Sequence, residues 1–150
     1  MRYVSAQPPL ANPLDFTGRS VVVTGGSRGL GRVLATRFLD AGAEVITCAR
    51  NFPDKPVTST DGSNEAGFVA ADVRDPEQVR TVVNTAIDQY GRIDVLVNNA
   101  GGAPLADSAD VSPRFNEKII ALNLTAPLTF CQGVYPTMSA QDGGGVIINI

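Results

Sequence analysis

The sequence predicts a doubly wound α/β fold, in which helices cover both faces of a parallel sheet. Five strands of that sheet are predicted within these residues. Three observations predict this fold. Short β-branched runs alternate with segments of helical periodicity, single helical segments separate most of the runs, and a glycine-rich turn follows the first run. Single helices between strands imply βαβ units, whose right-handed crossovers build a parallel sheet.

Five apolar runs predict the strands. Each is short and is bounded by glycine or polar residues, as expected for strands that a parallel sheet buries on both faces. The runs cover Ser20–Thr24, Ala43–Ala49, Gly67–Asp72, Ile93–Asn98 and Gly145–Ile150. Since the last run coincides with the final residues of the chain, we expect the sheet to be truncated after its fifth strand.

Three segments predict helices, because apolar residues recur in them three and four positions apart. The second has the clearest ends: Asp75 can cap it, Pro76 suits its first position and Gly91 can end it. The apolar positions are Leu30, Val33, Leu34, Phe38 and Ala41; Val79, Val82, Val83, Ala86, Ile87 and Tyr90; and Phe115, Ile119, Leu122 and Phe130.

The third helix, which Ser112 and Pro113 should open, contains an internal proline. Pro127 has no N–H to donate to the carbonyl of Asn123, four residues earlier. We therefore expect a distortion that leaves the main-chain oxygen of Asn123 free, either for a functional water or for ordinary solvation.

Two segments show neither the alternation typical of strands nor the three- and four-residue spacing typical of helices. Residues 1–15 are rich in proline, and we predict that they form an arm before a single domain over residues 16–150. Residues 50–67, between the second and third strands, are rich in Pro, Ser, Thr, Asp and Gly. We expect a loop there, where a crossover helix would normally lie.

The composition argues against several classes of function. The net charge is −3 and there is no basic stripe, which argues against nucleic acid as a partner. The absence of histidine and the presence of only two separated cysteines exclude a zinc site built from these residues and indicate a reducing compartment. No segment has the pattern of a leader or the length of a membrane span. We therefore expect a cytoplasmic protein without a metal, nucleic-acid or membrane partner.

The stretch TGGSRGLG, Thr24–Gly31, follows the first strand and opens the first helix. Glycines there let the backbone approach a phosphate closely, while the free N–H groups and the dipole of the first helical turn attract an anion. A nucleotide pyrophosphate would fit; a tight turn without a ligand is the alternative. The residues expected to bind the cofactor here are Thr24, Gly25, Ser27, Arg28, Gly29, Leu30 and Gly31.

Over about residues 19–150 the chain resembles the short-chain dehydrogenase/reductase family, because four stretches match the family's motifs in order and interval. They are TGxxxGxG at Thr24, Gly25, Gly29 and Gly31; the pair after the third strand, acidic Asp72 followed by Val73; NNAG at Asn98, Asn99, Ala100 and Gly101; and a helical asparagine, Asn123. The resemblance implies a Rossmann-like fold and an oxidoreductase that transfers a hydride between a nicotinamide and a small-molecule carbonyl or alcohol substrate.

The resemblance also implies roles for individual residues. It implies adenine contacts from Asp72 and Val73, and ribose contacts or strand-end stabilisation from Asn99–Gly101. It implies a structural and catalytic role for Asn123, whose carbonyl would hold a water in a proton relay to a lysine. A homo-oligomer, either a dimer or a tetramer, with the long helix at an interface, is expected on the same ground.

The charges near the second strand bear on which dinucleotide is bound. In NAD-binding folds an acidic residue at the end of this strand, about 20 residues after the first glycine, accepts from the ribose hydroxyls. The segment here reads Cys48, Ala49, Arg50 and Asn51, and Arg28 lies inside the glycine turn. A guanidinium matches a phosphate dianion, and NADP-preferring members of the resembled family carry basic residues at both places. We expect NADP(H); the alternative is that both arginines are solvated surface residues.

The family's acid/base pair, a tyrosine followed four residues later by a lysine, has no match in the chain. Lys55 and Lys118 have no tyrosine four positions before them. We therefore expect the catalytic serine, tyrosine and lysine to lie beyond Ile150, so that this chain alone would be inactive. The alternative is a complete, non-catalytic NADP(H)-binding module or sensor subunit, against which the exposed apolar edge of a fifth strand argues.

Overall fold

The structure is a computed structural model that describes residues 14–107 and 109–150. Most of the arm predicted for residues 1–15 lies outside these ranges. The elements alternate as predicted. They are β1 (Ser20–Thr24), α1 (Gly29–Asp40), β2 (Glu44–Ala49), β3 (Gly67–Ala70), α2 (Pro76–Tyr90), β4 (Val95–Asn98), α3 (Pro113–Ile120), a π-helical turn (Ala121–Thr125), α4 (Ala126–Ala140) and β5 (Val146–Asn149).

The strands form one parallel sheet in the order β3-β2-β1-β4-β5. The central strand, β1, is buried along its whole length, and Val22 lies between Ile46 of β2 and Leu96 of β4. The chain builds outward from β1 to β3 and then returns to place β4 on the other side of β1. This reversal separates the loops that follow β1 and β4 and opens a crevice at their carboxyl ends.

Alternate residues of β1 point into two separate cores, one on each face of the sheet. Val22 packs in a core completed by α2 and α4, whereas Val21 and Val23 pack in a core completed by α1. Both faces of the sheet are therefore covered by helices, which confirms the predicted doubly wound, Rossmann-like fold.

The first helix buries only part of the predicted face, where Leu34 and Phe38 pack against the core. Leu30 and Val33 are more than half exposed, whereas Gly31, Ala35 and Leu39 face the sheet. Small residues allow α1 to approach the sheet closely, and an apolar pattern does not register a glycine as a core position. The helix was therefore predicted correctly, but two of its five predicted core positions, Leu30 and Val33, were wrong.

The second helix forms as predicted. The Asp75 carboxylate accepts from the Glu77 N–H at 2.9 Å, Pro76 takes the first position, and Gly91 ends the helix with φ of 70°. Its buried residues are Val79, Val82, Val83 and Ala86.

Two strand boundaries were predicted too generously. The third strand ends at Ala70 rather than Asp72, because the Asp72 N–H turns away and donates to the side chain of Gln78 at 2.8 Å. The fourth begins at Val95 rather than Ile93, where the side chain of Gln141 bonds both the N–H and the carbonyl of Ile93.

The distortion predicted in the long helix is confirmed. Between α3 and α4 the chain makes a π-helical turn in which the Ala126 N–H donates to the carbonyl of Ala121, five residues earlier. Asn123 lies at the centre of this turn, and Pro127 follows it in the first turn of α4. A π-turn inserts one extra residue and so accommodates the missing proline N–H without ending the helix.

The segment between β2 and β3 has no helix, as predicted, but it is not detached from the domain. Thr58 and Glu65 form a single antiparallel bridge, and Val57 and Ala66 are buried in the core beneath α1. Within residues 14–107 and 109–150 no helix combines the length and apolar character needed to cross a membrane.

Candidate cofactor site

A cleft of about 580 Å³ lies at the carboxyl ends of the central strands. Such crevices are where open α/β sheets bind their ligands. The predicted cofactor residues that line it are Gly25, Ser27, Arg28, Gly29, Leu30, Gly31, Arg50, Asp72, Val73, Asn99, Ala100 and Gly101. The sheet therefore brings together residues that are up to 76 positions apart in the chain (Gly25 to Gly101).

Thr24, the remaining predicted residue, lies beneath the cleft rather than in its wall. Its side chain is buried, and its hydroxyl oxygen accepts from the N–H groups of Asn99 at 3.0 Å and Ala100 at 2.9 Å. These bonds join the end of β1 to the end of β4. Thr24 thus holds the two strand ends together at the point where the cleft opens.

The side chain of Asn99 packs against the glycine-rich turn between β1 and α1. Its side-chain nitrogen donates to the Thr24 carbonyl at 2.9 Å, and a β-carbon on Gly31 would lie only 2.4 Å from that nitrogen. Gly25 adopts φ of 70°, a conformation that a residue with a β-carbon rarely adopts. The turn therefore needs glycine at both positions, and the Asn99 amide is engaged in stabilising the strand ends.

The N-terminus of α1 is left open to a ligand. Arg28 takes the capping position without a side-chain hydrogen bond, and the first turn contains no acidic residue. By contrast, Asp75 and Ser112 cap the N-termini of α2 and α3. The uncapped N–H groups of α1, beside a glycine cradle, fit the pyrophosphate of a dinucleotide.

Two arginines in the cleft have no polar partner. Arg28 and Arg50 are exposed, and neither side chain makes a hydrogen bond or salt bridge within the described part of the chain. Neighbouring Arg32 differs, because its guanidinium donates to the main-chain carbonyls of Lys55 and Pro56 at 2.9 and 2.5 Å. Arg28 and Arg50 are therefore available to an anion in the cleft.

A third arginine in the cleft was missed by the sequence analysis. Arg74 holds Asp72 in a two-point ion pair, with Nε 2.9 Å from one carboxylate oxygen and Nη2 2.5 Å from the other. The hydrogen bond from Arg74 is the main reason that the pKa of Asp72 falls to about 2, and the charge of Arg50 contributes in the same direction. Asp72 is thus ionised and engaged by protein groups.

Asn123 connects the long helix to the loop after β4. Its amide accepts from the Gly102 N–H at 2.8 Å and donates to the Gly102 carbonyl at 3.0 Å. A β-carbon on Gly101 would lie 2.8 Å from the Asn123 side-chain oxygen. The side chain therefore positions this loop, while the main chain of Asn123 lies in the π-turn.

The loop after β2 supplies an outer wall that was also missed. Phe52, Pro53 and Asp54 line the cleft, and the ring of Phe52 packs against Phe68 with centroids 4.9 Å apart. The loop is fastened to α1 by Arg32 and by the Thr36 hydroxyl, which donates to the Thr58 carbonyl at 2.9 Å. No periodicity marks this wall, and a large aromatic residue in a polar segment is the only local signal.

The family model for short chain dehydrogenases matches residues 19–150. This chain belongs to the short-chain dehydrogenase family. Its relatives in this family include a short chain dehydrogenase/reductase, dpchG, from Colletotrichum higginsianum, 35% identical over 144 residues, which cover 93% of this chain and 54% of that protein. L-fucose dehydrogenase of Oryctolagus cuniculus is 32% identical over 142 residues, 94% of this chain and 49% of that protein.

The fold of this short-chain dehydrogenase chain matches solved structures of the family. A short-chain type dehydrogenase/reductase from Mycobacterium marinum superposes with a TM-score of 0.80 at 27% identity, over 91% of this chain and 56% of the other. The chain therefore spans about half the length of the relatives that it matches. Short-chain dehydrogenases are oxidoreductases that use nicotinamide cofactors and act on small alcohols and carbonyl compounds.

Proposed function

We propose that this chain is the cofactor-binding part of an NADP(H)-dependent oxidoreductase that transfers a hydride between the nicotinamide and a carbonyl or alcohol substrate. The observation that carries the NADP(H) preference is that Arg28 and Arg50 make no hydrogen bond or salt bridge to any residue described, in a cleft where β2 ends without a carboxylate. Guanidinium groups without protein partners can donate charge-assisted hydrogen bonds to a 2′-phosphate.

The other residues of the cleft would hold the dinucleotide as follows. The first turn of α1 would hold the pyrophosphate, Asp72 and Val73 would contact the adenine, and Asn99–Gly101 would contact a ribose. The bound nicotinamide supplies or accepts the hydride. The protein would bind and orient it, and the hydrogen bonds between Thr24 and Asn99 join the two strand ends beneath it.

The proposal assigns Asn123 a part in proton transfer through its main-chain oxygen, which would hold a water in a relay. The π-turn supports this assignment, because such turns change the hydrogen bonding of carbonyls in mid-helix. The Asn123 side chain is a positioning group in this scheme, since it is bonded to Gly102.

The tyrosine that acts as acid or base is placed in the remainder of the full-length protein. Of the tyrosines that the structure describes, Tyr90 is half-buried, and desolvation followed by the charge of Glu44 raises its pKa, opposite to the direction that a general base needs. Tyr135 is 67% exposed on α4, away from the cleft.

Oligomerisation and location complete the proposal. Ile120, Leu124 and Leu128 are each more than half exposed, at four-residue intervals along the long helix. A row of this kind supports a homo-oligomer, a dimer or a tetramer, that uses this helix. The free thiols Cys48 and Cys131 support a reducing, cytoplasmic location.

The cofactor preference is tested by titrating the full-length protein with NADP⁺ and with NAD⁺ in a calorimeter. We expect NADP⁺ to bind at least about tenfold more tightly, as one or two charge-assisted hydrogen bonds would produce. Arg28→Met and Arg50→Met should each reduce that ratio. Arg114→Met, which removes an exposed cation on α3 outside the cleft, is the matched control. Equal affinities of the unmodified protein for the two cofactors would contradict the proposal.

The hydride transfer is tested separately, by the loss of NADPH absorbance with a panel of aldehydes and ketones. Turnover of any of them supports the oxidoreductase. Tight NADP(H) binding without turnover across a broad panel would favour a binding module or sensor instead.

A further inference from the structure

Arg74 is the only arginine of the cleft that is paired with a carboxylate, among the residues that the structure describes. It follows β3 by four residues and engages both oxygens of Asp72 through Nε and Nη2. The two side chains are about one-third exposed, 35% for Arg74 and 28% for Asp72, so the pair lies in the wall of the cleft rather than on an outer surface.

Asp72 is also within electrostatic reach of Arg50, whose positive charge helps to lower the pKa of the Asp72 carboxyl. Arg50 nevertheless makes no hydrogen bond or salt bridge to Asp72 or to any other residue described. Two cations therefore lie near one carboxylate, and only Arg74 is bonded to it. Asp72 accepts from Nε and the main-chain N–H of Arg74 at one oxygen and from Nη2 at the other, so about one of its roughly four lone-pair positions is left for a second arginine.

We propose that Arg74 is a positioning residue for cofactor selection: by holding Asp72, it leaves Arg50 free to bind the 2′-phosphate of NADP(H). The inference rests on the proposed function, because it concerns the same cleft and the same cofactor. Without Arg74 the Asp72 carboxylate would act against the phosphate in two ways. It would compete for the Arg50 guanidinium, and its uncompensated negative charge would repel the dianion.

The alternative role for Arg74 is direct contact with the phosphate. Arg74 has two of its donor nitrogens committed to Asp72, whereas Arg28 and Arg50 have none committed. The geometry therefore favours a role through Asp72 over a direct contact with the phosphate. The two roles predict different cofactor preferences for a variant that combines Arg74→Met with Asp72→Asn.

The test measures binding of NADP⁺ and NAD⁺ to the full-length protein by calorimetry, so that it does not depend on turnover. Arg74→Met keeps the length of the side chain and removes the charge. We expect it to lower the ratio of NADP⁺ to NAD⁺ affinity about fivefold, the size expected for one partly exposed charge interaction. Asp72→Asn alone should not lower the ratio, and adding it to Arg74→Met should restore the ratio.

The matched control is Arg80→Met, which removes an exposed arginine of α2 that pairs with Glu77 outside the cleft. It should leave the ratio unchanged. Thermal melting of each variant reports whether it folds. The affinity ratio of Asp72→Asn is a second measurement, and it does not require Arg74→Met to be stable.

Two results would overturn the inference while leaving the proposed function intact. The first is an unmodified protein that prefers NADP⁺ and keeps that preference in Arg74→Met. The second is a double variant whose ratio is as low as that of Arg74→Met, which would assign Arg74 to the phosphate directly. An unmodified protein that binds both cofactors equally would instead overturn the NADP(H) preference itself, and this inference with it.

Discussion

Asn99 occupies the space that a side chain at Gly31 would need. A β-carbon added to Gly31 would lie 2.4 Å from the Asn99 side-chain nitrogen and 2.4 Å from the Gly25 carbonyl oxygen. The first helix can approach the end of β4 this closely only because Gly31 has no side chain. The shape of the phosphate cradle therefore depends on contacts between segments that are distant in sequence.

Gly31→Ala should accordingly destabilise the domain and weaken the cofactor site together. Neither partner can yield easily, since one is backbone and the other is bonded to the Thr24 carbonyl. Overpacking of this kind costs about 1–3 kcal/mol. Thermal melting and NADP⁺ titration of the variant measure the two effects. A melting temperature and affinity equal to those of the parent protein would show that the predicted clash does not occur.

Thr24→Val should destabilise the protein by about 2 kcal/mol, because it leaves the partly buried N–H groups of Asn99 and Ala100 without their shared acceptor. Valine has nearly the same shape, so packing is retained. Thr81→Val is the control, since the Thr81 hydroxyl bonds only the exposed turn of its own helix. Urea denaturation of the two variants compares them, and equal losses would contradict the role assigned to Thr24.

Because of Asp94, part of the free energy of unfolding should be lost at acid pH. Burial would raise the pKa of this carboxyl, but donors from Arg92, the Ser20 N–H and Arg19 outweigh burial and leave the pKa below its usual value. A carboxyl whose pKa is lower in the folded protein contributes stability above its unfolded pKa, near 3.8, and that stability is lost as the pH falls through the folded value.

Asp94→Asn should therefore cost about 2 kcal/mol at neutral pH, because it removes the charge of a buried carboxylate that accepts from both Arg19 and Arg92. The difference from the parent protein should shrink as the pH falls below about 4. Denaturant melts across this range measure it. A difference that stays constant with pH would rule out the charge of Asp94 as the cause.

Arg32→Met should loosen the outer wall of the cleft with little effect on global stability. The change removes both bonds from α1 to the carbonyls of Lys55 and Pro56. We expect faster proteolytic cleavage within residues 51–58 and weaker binding of NADP⁺, with protection restored at saturating cofactor. Arg114→Met removes an exposed arginine of α3 outside the cleft and is the control. Cleavage at the same rate in both variants would argue against the tether.

Much of the fold and the membership of the site could be predicted from the sequence, because both depend on local pattern. The caps of α2, the π-turn before Pro127 and the helix-free segment after β2 each follow from the chemistry of a few adjacent residues. The glycines, the NNAG stretch and Arg50 meet in one cleft because the carboxyl ends of parallel strands share one edge of the sheet.

The sequence by itself determined the order of the elements, the parallel sheet and the residues that surround the cleft. Only the tertiary structure decided which face of α1 is buried, that Asn99 fills the space beside Gly31, that Arg74 rather than Arg50 is bonded to Asp72, and that Arg32 fastens the loop after β2. The physical reason is the distance along the chain over which each interaction acts. Periodicity and capping act within a turn of helix or a single strand, whereas these pairings depend on the distance and orientation of side chains that the sheet brings together.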